Sequence, residues 1–452
     1  MFFNRLNIKV KLVVLSMAIL AVVVPEIRGD VGAEAARGIE QYRKGDVTIE
    51  VHDANGKPLA GAEVVVRQVS HDFLFGNYIR PRHYTNQRYL KCFKELFNFI
   101  ELLEFNWGQY EPDEGRPLVD ERMDFIRGWG IPNGFDKYYG HMLVWTRQYN
   151  EYPRAGLPMW LFKYDKPRQY ELLRQRIERE VGTYKDIDIL WDVVNEASHC
   201  RVWGDWDKDN YVQNRQAEPF GRVLAYVKDA LNWAHQANRD AKLLINDYSV
   251  IVKSPYQRRF KQLIEALQGD KVPLDAVGIQ AHEPFKGKYW YSPAELWDAY
   301  KMFGTERGLP IYITEYFQVS EPSQAIRGVY RSGKWSKENQ ADAVEEFYRI
   351  SFGHPSIEAI IYFGLVDSDV VQPYCGLLDE DYNPKPAWDR LKGLIWDEWT
   401  TEMSGVTDTD GKWKFRGFYG RYNVETQISG KTIESDIHVN KGAGNRFSIR
   451  VR

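Results

Sequence analysis

The chain has 452 residues and is nearly balanced in charge, 60 lysines and arginines against 63 aspartates and glutamates. That balance excludes a nucleic-acid binder with a broad basic face. The length exceeds one ordinary domain and suits a barrel of roughly 250 residues or more with a small appended module.

Residues 1–30 read as a signal peptide or short anchor. Arg5, Lys9 and Lys11 precede an apolar run over 12–24 that is too short for a comfortable membrane span, and Pro25 breaks it. Gly29 offers a cleavage point, although Ile27 stands where a small residue is usual, so an uncleaved anchor remains open. Either form predicts an exported chain, secreted or periplasmic, with no stable membrane partner unless the leader is uncut. Residues 31–45 are polar and read as a linker. Over 46–70, apolar and polar residues alternate on both sides of Asn55-Gly56, which predicts a β-hairpin. Residues 405–452 carry the same short strands and glycine turns. Neither β segment buries much alone, so the two ends are expected to meet in one small all-β accessory module that serves stability.

Between them, residues 71–400 alternate strand-like runs with helical stretches at 169–184, 220–238 and 339–352. Eight strand candidates stand in order: HDFLFGNYI, the run entering Glu101, YYGHMLVW, DILWDVVNE, AKLLINDY, LDAVGIQAH, PIYITEY and IEAIIYFGL. Eight βα units predict a closed α/β architecture, a (β/α)8 TIM barrel. No dinucleotide glycine fingerprint or phosphate loop occurs. The three cysteines, Cys92, Cys200 and Cys375, match no metal spacing and cannot all pair, so they read as buried small hydrophobes.

The strand ends are polar in succession. YYGHMLVW carries His141 and Trp145, DILWDVVNE ends on Asn195 and Glu196, and AKLLINDY ends on Asn246, Asp247 and Tyr248. LDAVGIQAH ends on Gln280 and His282, and PIYITEY carries Glu315. Amides and imidazoles both donate and accept, which suits hydroxyl recognition. The 15 Trp, 28 Tyr and 22 Phe serve mostly a core, but flat rings also stack on sugar faces. Two carboxylates at strand tips are what glycoside hydrolysis requires.

WDVVNEA, INDY, GIQAH, ITEYF and GHMLVW, in this order, together with GLLDEDYNPKPAWDRLKGL over 376–394, resemble the motifs of glycoside hydrolase family 10, the (β/α)8 endo-β-1,4-xylanases. The resemblance covers about 75–400. It implies Glu196 as general acid/base and Glu315 as nucleophile of a retaining double displacement. It also implies Asn195 on the 2-hydroxyl of the sugar at the cleavage point, His282 orienting Glu315 with Gln280 alongside, and His141 and Trp145 holding the same sugar. Tyr248 would line the leaving-group side, and Asn106 and Trp107 would sit on the non-reducing side. No metal or organic cofactor enters that mechanism, and the partner is a xylan-like polysaccharide. Oligomeric state is not legible.

The chain departs from the family pattern in several places. Leu102 and Leu103 replace a Glu-Asn pair, Asn106 replaces a lysine, and Thr146 replaces a histidine. Phe363 stands for a tryptophan, and a second tryptophan near 370–371 is absent. Aromatics in the following loops, Trp203, Trp206, Tyr211, Tyr289, Trp290 and Tyr291, are candidate sugar platforms instead. The alternatives are a related barrel β-glycosidase for decorated xylan or β-glucan, and a catalytically decayed carbohydrate-binding barrel.

Overall fold

The computed structural model describes residues 30–146, 156–199, 220–282, 290–320, 325–326, 333–369, 373–442 and 444–451. Each of the eight apolar runs forms one barrel strand. They are β1 (Leu74–Tyr78), β2 (Phe99–Leu102), β3 (Lys137–Gly140, resumed at Val144–Trp145), β4 (Asp188–Asn195), β5 (Lys242–Asp247), β6 (Ala276–Ile279), β7 (Ile311–Tyr316) and β8 (Ile357–Tyr362). Every neighbour pair is parallel, and β8 closes on β1 with Ala359 opposite Leu74. A parallel sheet covered by helices is buried on both faces, which is why these runs read as near-continuous apolar stretches. Seven of the eight residues of β4 are buried.

Two hydrophobic layers result. Phe99, Tyr139, Leu190, Leu244, Ala276, Ala359 and Ile361 fill the barrel interior. A larger cluster joins the outer strand faces to helices such as Lys166–Thr183, Phe220–Ala237 and Lys337–Gly353.

The segment read as a linker is a helix, Asp30–Tyr42. Val31, Ala35 and Ile39 recur every four residues and pack on the core. Gly38 lets this helix touch Lys337–Gly353, since a Cβ there would run into the Gly353 carbonyl oxygen. Just beyond it, Arg43 is buried and donates to the carbonyls of Phe352 (2.6 Å), His354 (2.6 Å) and Ile357 (2.7 Å), satisfying buried carbonyls at the C-terminal end of that helix and at the start of β8.

The expected hairpin pairs only beside its turn, where His52 and Pro58 form one antiparallel bridge, and does not continue along the two strands. Lys44–Asp53 lies between Lys412–Phe418 and Asn445–Val451, whereas Glu63–Gln68 lies between Glu402–Val406 and Gly420–Ile428 in a separate sheet that ends on Lys431–Val439. Asn55-Gly56 does turn the chain, with Asp53 Oδ1 accepting from Asn55 N and Lys57 N. The chain then crosses between sheets. Val47, Ile49 and Val51 on one strand and Val64 and Val66 on the other belong to one shared core. Facing the two apolar stripes across a sandwich buries both, while a lone two-stranded ribbon would leave its apolar face uncovered.

Cys92 and Cys375 are free and buried. The leader, Cys200, Trp203, Trp206, Tyr211 and Tyr289 lie outside the described residues.

Candidate active site

The C-terminal ends of β3 to β7 bring together most of the residues singled out in the sequence. Three of these strands turn at or beside their polar residues through the left-handed region: Glu196 at φ 58, Ser249 at φ 55 and Ala281 at φ 56. Non-glycine residues hold that conformation only where the surroundings enforce it. For Glu196, the backbone N–H donates to the Asn246 carbonyl at 2.7 Å, which ties the tip of β4 to β5.

Glu315 is 5% exposed at the end of β7. His282 Nε2 stands 3.0 Å from its Oε2, Asn246 Nδ2 donates to its Oε1 at 3.1 Å, and His141 Nε2 lies 3.9 Å from the same oxygen. Burial by itself would raise this carboxyl. The His282 charge and hydrogen bond, the His141 charge and the Asn246 hydrogen bond outweigh it and hold Glu315 below the usual carboxylate range.

Glu196, 7% exposed, accepts from Gln280 Nε2 at 3.3 Å. The same Gln280 nitrogen donates to Asn195 Oδ1 at 3.1 Å, and Asn246 Nδ2 donates to that oxygen at 3.0 Å. With its oxygen fixed by two donors, the Asn195 amide has one orientation. Asn246 is therefore a hub, touching both Asn195 and Glu315, and Thr314 Oγ1 donates to its oxygen at 2.8 Å.

A second layer supports the first. His141 Nδ1 pairs with Asp192 Oδ2 at 3.0 Å, and Tyr139 OH donates to the same oxygen at 3.2 Å. Burial would lower the imidazole, but the Asp192 hydrogen bond and the charges of Glu315, Glu101 and Asp192 push it up to about 9. Asp247 accepts from the backbone of Ser198 at 2.8 Å and of Tyr248 at 3.0 Å, fixing the turns after Glu196 and after β5. His199 stacks between Tyr248 (3.6 Å) and Tyr256 (3.7 Å), giving three parallel rings with Tyr256 exposed.

Sequence reasoning missed Asp192, Thr314 and His199, and gave Asn246 no role. Asp192 had a signal, because a charged residue inside an apolar strand needs a partner. His199 had none, since its place depends on how the loops after β4 and β5 meet.

Asn106 and Trp107, expected on the non-reducing side, make internal contacts. Asn106 Oδ1 accepts from Gly156 N at 2.7 Å. Trp107 is buried, with Nε1 on Glu111 Oε2 at 3.0 Å and its ring against Trp160 and Arg176. Trp290 and Tyr291 are also buried, stacked on each other, with Trp290 against Trp335. Large rings flanked by apolar neighbours go to the core before they go to solvent. Trp145 sits opposite Asn195 in the β3–β4 ladder and is half-buried. Phe363 packs under Tyr78 and beside His282.

Fold and site define a (β/α)8 barrel with a glutamate at the tips of β4 and β7, set among amides and imidazoles. A family model described as Glycosyl hydrolase family 10 matches residues 65–393, and the chain belongs to that family. Among curated proteins it is similar to the Anti-sigma-I factor RsgI6 of Acetivibrio thermocellus, with 27% identity over 91% of this chain and 49% of that protein. It is also similar to Endo-1,4-beta-xylanase B of Thermotoga neapolitana, with 26% identity over 68% of this chain and 84% of that one. The chain thus spans about half the length of the first of these relatives. Xylanase 10B from Thermotoga petrophila RKU-1, solved in complex with xylobiose, shares the fold at a TM-score of 0.57 and 23% identity, covering 72% of this chain and 95% of that one.

Proposed function

We propose that the protein is a retaining glycoside hydrolase that cleaves β-1,4-xylosidic bonds in a xylan-like polysaccharide, with Glu315 as nucleophile and Glu196 as general acid/base. The observation that carries this reading is the donor set around Glu315. Glu315 has an imidazole or amide donor at each oxygen and is held ionised, ready to attack the anomeric carbon. Glu196, which accepts from Gln280 Nε2, is the group that delivers a proton to the leaving oxygen in this reading. Water then attacks the glycosyl ester with Glu196 as base, a sequence that needs the carboxyls roughly 5–5.5 Å apart.

Asn195, with its amide oriented by Gln280 and Asn246, supports a hydrogen bond to the 2-hydroxyl beside the cleavage point. The exposed ring of Tyr256, stacked through His199 on Tyr248, supplies a stacking surface on the leaving-group side. The named activity of the Thermotoga relative and the xylobiose in the solved neighbour favour xylan as the glycan. The basic residues and apolar run at the N-terminus favour export, where such a polymer is met.

A second reading, altered glycan specificity, is favoured by one group of residues. Leu102, Leu103 and Asn106 stand in place of the family's Glu-Asn pair and lysine, and Asn106, Trp107 and Glu104 engage Gly156, Glu111 and Arg122, so among the described residues the non-reducing side differs from the family pattern.

Reducing-sugar release from plain xylan, arabinoxylan, glucuronoxylan, β-glucan and carboxymethylcellulose tests both readings. Release from a xylan that falls at least about a thousandfold in Glu315→Ala is expected for a lost nucleophile. Preference for β-glucan selects the second reading. Silence from folded protein on every glycan, with retained binding, leaves a binding-only barrel.

A further inference from the structure

The loops after β1 and β8 carry charge that the proposed reaction leaves unused. Arg80, Arg82 and His83 follow β1, and all three converge on Asp369 of the loop after β8, whose side chain is wholly buried. Arg82 donates to Asp369 Oδ1, and His83 Nε2 stands 2.9 Å from Oδ2. Arg80 is left at the margin of this cluster. Its Nε is 3.8 Å from Oδ1, its Nη2 donates to the Asp369 carbonyl at 3.3 Å, and its side chain is 40% exposed. The guanidinium lies 5.1 Å from the centre of the Tyr78 ring, whose hydroxyl donates to the same carbonyl at 2.7 Å.

One buried carboxylate cannot neutralise two guanidinium groups. Glu104, the other carboxylate whose charge acts on Arg80, already pairs with Arg122 at 3.0 Å. Glu101, opposite Tyr78 in the ladder, is buried and pushed well above the usual carboxylate range by that burial, so it adds no counter-charge. The excess charge falls to Arg80, which among the described residues has no carboxylate oxygen within hydrogen-bond distance. Its fork of donors matches a carboxylate.

Three rings join Arg80 to the catalytic centre. Tyr78 packs on Phe363 at 4.9 Å, Phe363 lies 5.9 Å from His282, and His282 contacts Glu315. In the closed ring of eight strands, β1 stands across from β5, which leads to Tyr248. It is paired with β2, past whose tip the family pattern places the non-reducing side.

We propose that Arg80 is a specificity-determining residue that binds the carboxylate of a uronic-acid branch on the xylan-like chain, on the non-reducing side of the cleavage point. Asp369 and the Tyr78 ring hold the guanidinium in place, so less side-chain freedom is lost on binding. A xylose backbone is uncharged, so an acidic branch is what uses this group. The inference rests on the proposed action on xylan.

The test is affinity electrophoresis of the full chain carrying Glu315→Ala, so that the polymer is not cut. The two gels hold glucuronoxylan and the same glucuronoxylan with its uronate carboxyls reduced to alcohols. The native polymer should bind about three- to tenfold more tightly at low salt, the range of one partly screened charge-assisted contact, and the preference should shrink at high salt. Adding Arg80→Gln should bring the ratio to about one, while Arg80→Lys, which keeps the charge without the fork, should retain part of it. Arg82 still pairs with Asp369 in both, so neither substitution strands the buried carboxylate. Equal affinity for the two polymers, or a preference that survives Arg80→Gln, overturns the inference and leaves action on xylan standing. Tighter binding of polygalacturonate that is lost in Arg80→Gln would place the carboxylate in the backbone and overturn the branch. Binding of neither xylan, with no reducing sugar released by the wild type, overturns the inference together with the reading beneath it.

Discussion

Glu315 is a carboxylate ionised in a place where burial alone would protonate it. Its state depends on His282, His141 and Asn246, which come from three different strand ends. A carboxyl held low stays ionised where a free glutamate would be protonated, so activity that needs the anion persists to lower pH. Losing His282 removes the largest opposing charge, and the folded-state pKa rises. For His282→Ala the acid limb of kcat/KM on an aryl β-xyloside is therefore expected to move upward by about one pH unit. An unmoved limb would show that His282 touches Glu315 without governing its ionisation. Most of these side chains were legible one at a time, because amides, imidazoles and carboxylates ending apolar strands are conspicuous. Their division of labour was not. Asn246 and Asn195 look alike in sequence, yet one is the internal hub and the other is oriented by it.

At the scale of elements, the site depends on how closely adjacent strands approach. Gly278 on β6 faces the Asn246 side chain, and a Cβ at that position would lie 2.5 Å from Asn246 Oδ1 and 2.9 Å from its Cβ and Cγ. Asn246 is short, buried and held at both ends of its amide, so it has little room to move. Gly278→Ala should cost about 1–3 kcal/mol of stability by overpacking. It should also cut kcat more than its effect on folding explains, because the displaced amide holds Glu315. Thermal unfolding measured beside steady-state kinetics checks this, and a variant with unchanged kcat would remove Asn246 from the positioning role. The eight strands were readable because β-branched and aromatic runs between helical stretches have few alternatives. The failure at Trp290 and Tyr291 has the opposite cause: a loop aromatic reads the same whether it faces solvent or packs inward.

At the scale of the molecule, the helix Asp30–Tyr42 and the β-sandwich pack on the barrel. His71 sits at that junction, packed against Phe75 and Trp396 of the barrel and Phe418 of the β-sandwich, with Nε2 near the Ile395 carbonyl at 3.2 Å. Burial depresses it to about 4, only partly offset by that carbonyl. The unfolded chain, with histidine near 6.5, then takes up this proton at a pH where the folded chain does not. The stability His71 contributes is complete above pH 6.5, falls as pH drops toward 4, and levels below that, a change on the order of 3 kcal/mol. Urea unfolding at pH 7.5 and 4.5 should show this loss, and His71→Gln should lack that part of it. An identical pH dependence in the two proteins would contradict the assignment.

The sequence by itself determined the barrel, the strands that carry the site, the family resemblance and the identity of both candidate carboxylates. Those features are local: an apolar run with a polar tip is a strand delivering a side chain wherever it docks. Tertiary structure alone decided the helix at Asp30–Tyr42, whose Val31, Ala35 and Ile39 face gains its meaning from the helix it crosses at Gly353. It also decided that Lys44–Asp53 and Glu63–Gln68 part into two sheets, since their partners arrive more than 330 residues later. The commitment of Asn106 to Gly156 has the same origin. Whether a polar group is satisfied depends on atoms from distant segments, and no local pattern encodes which of them will arrive.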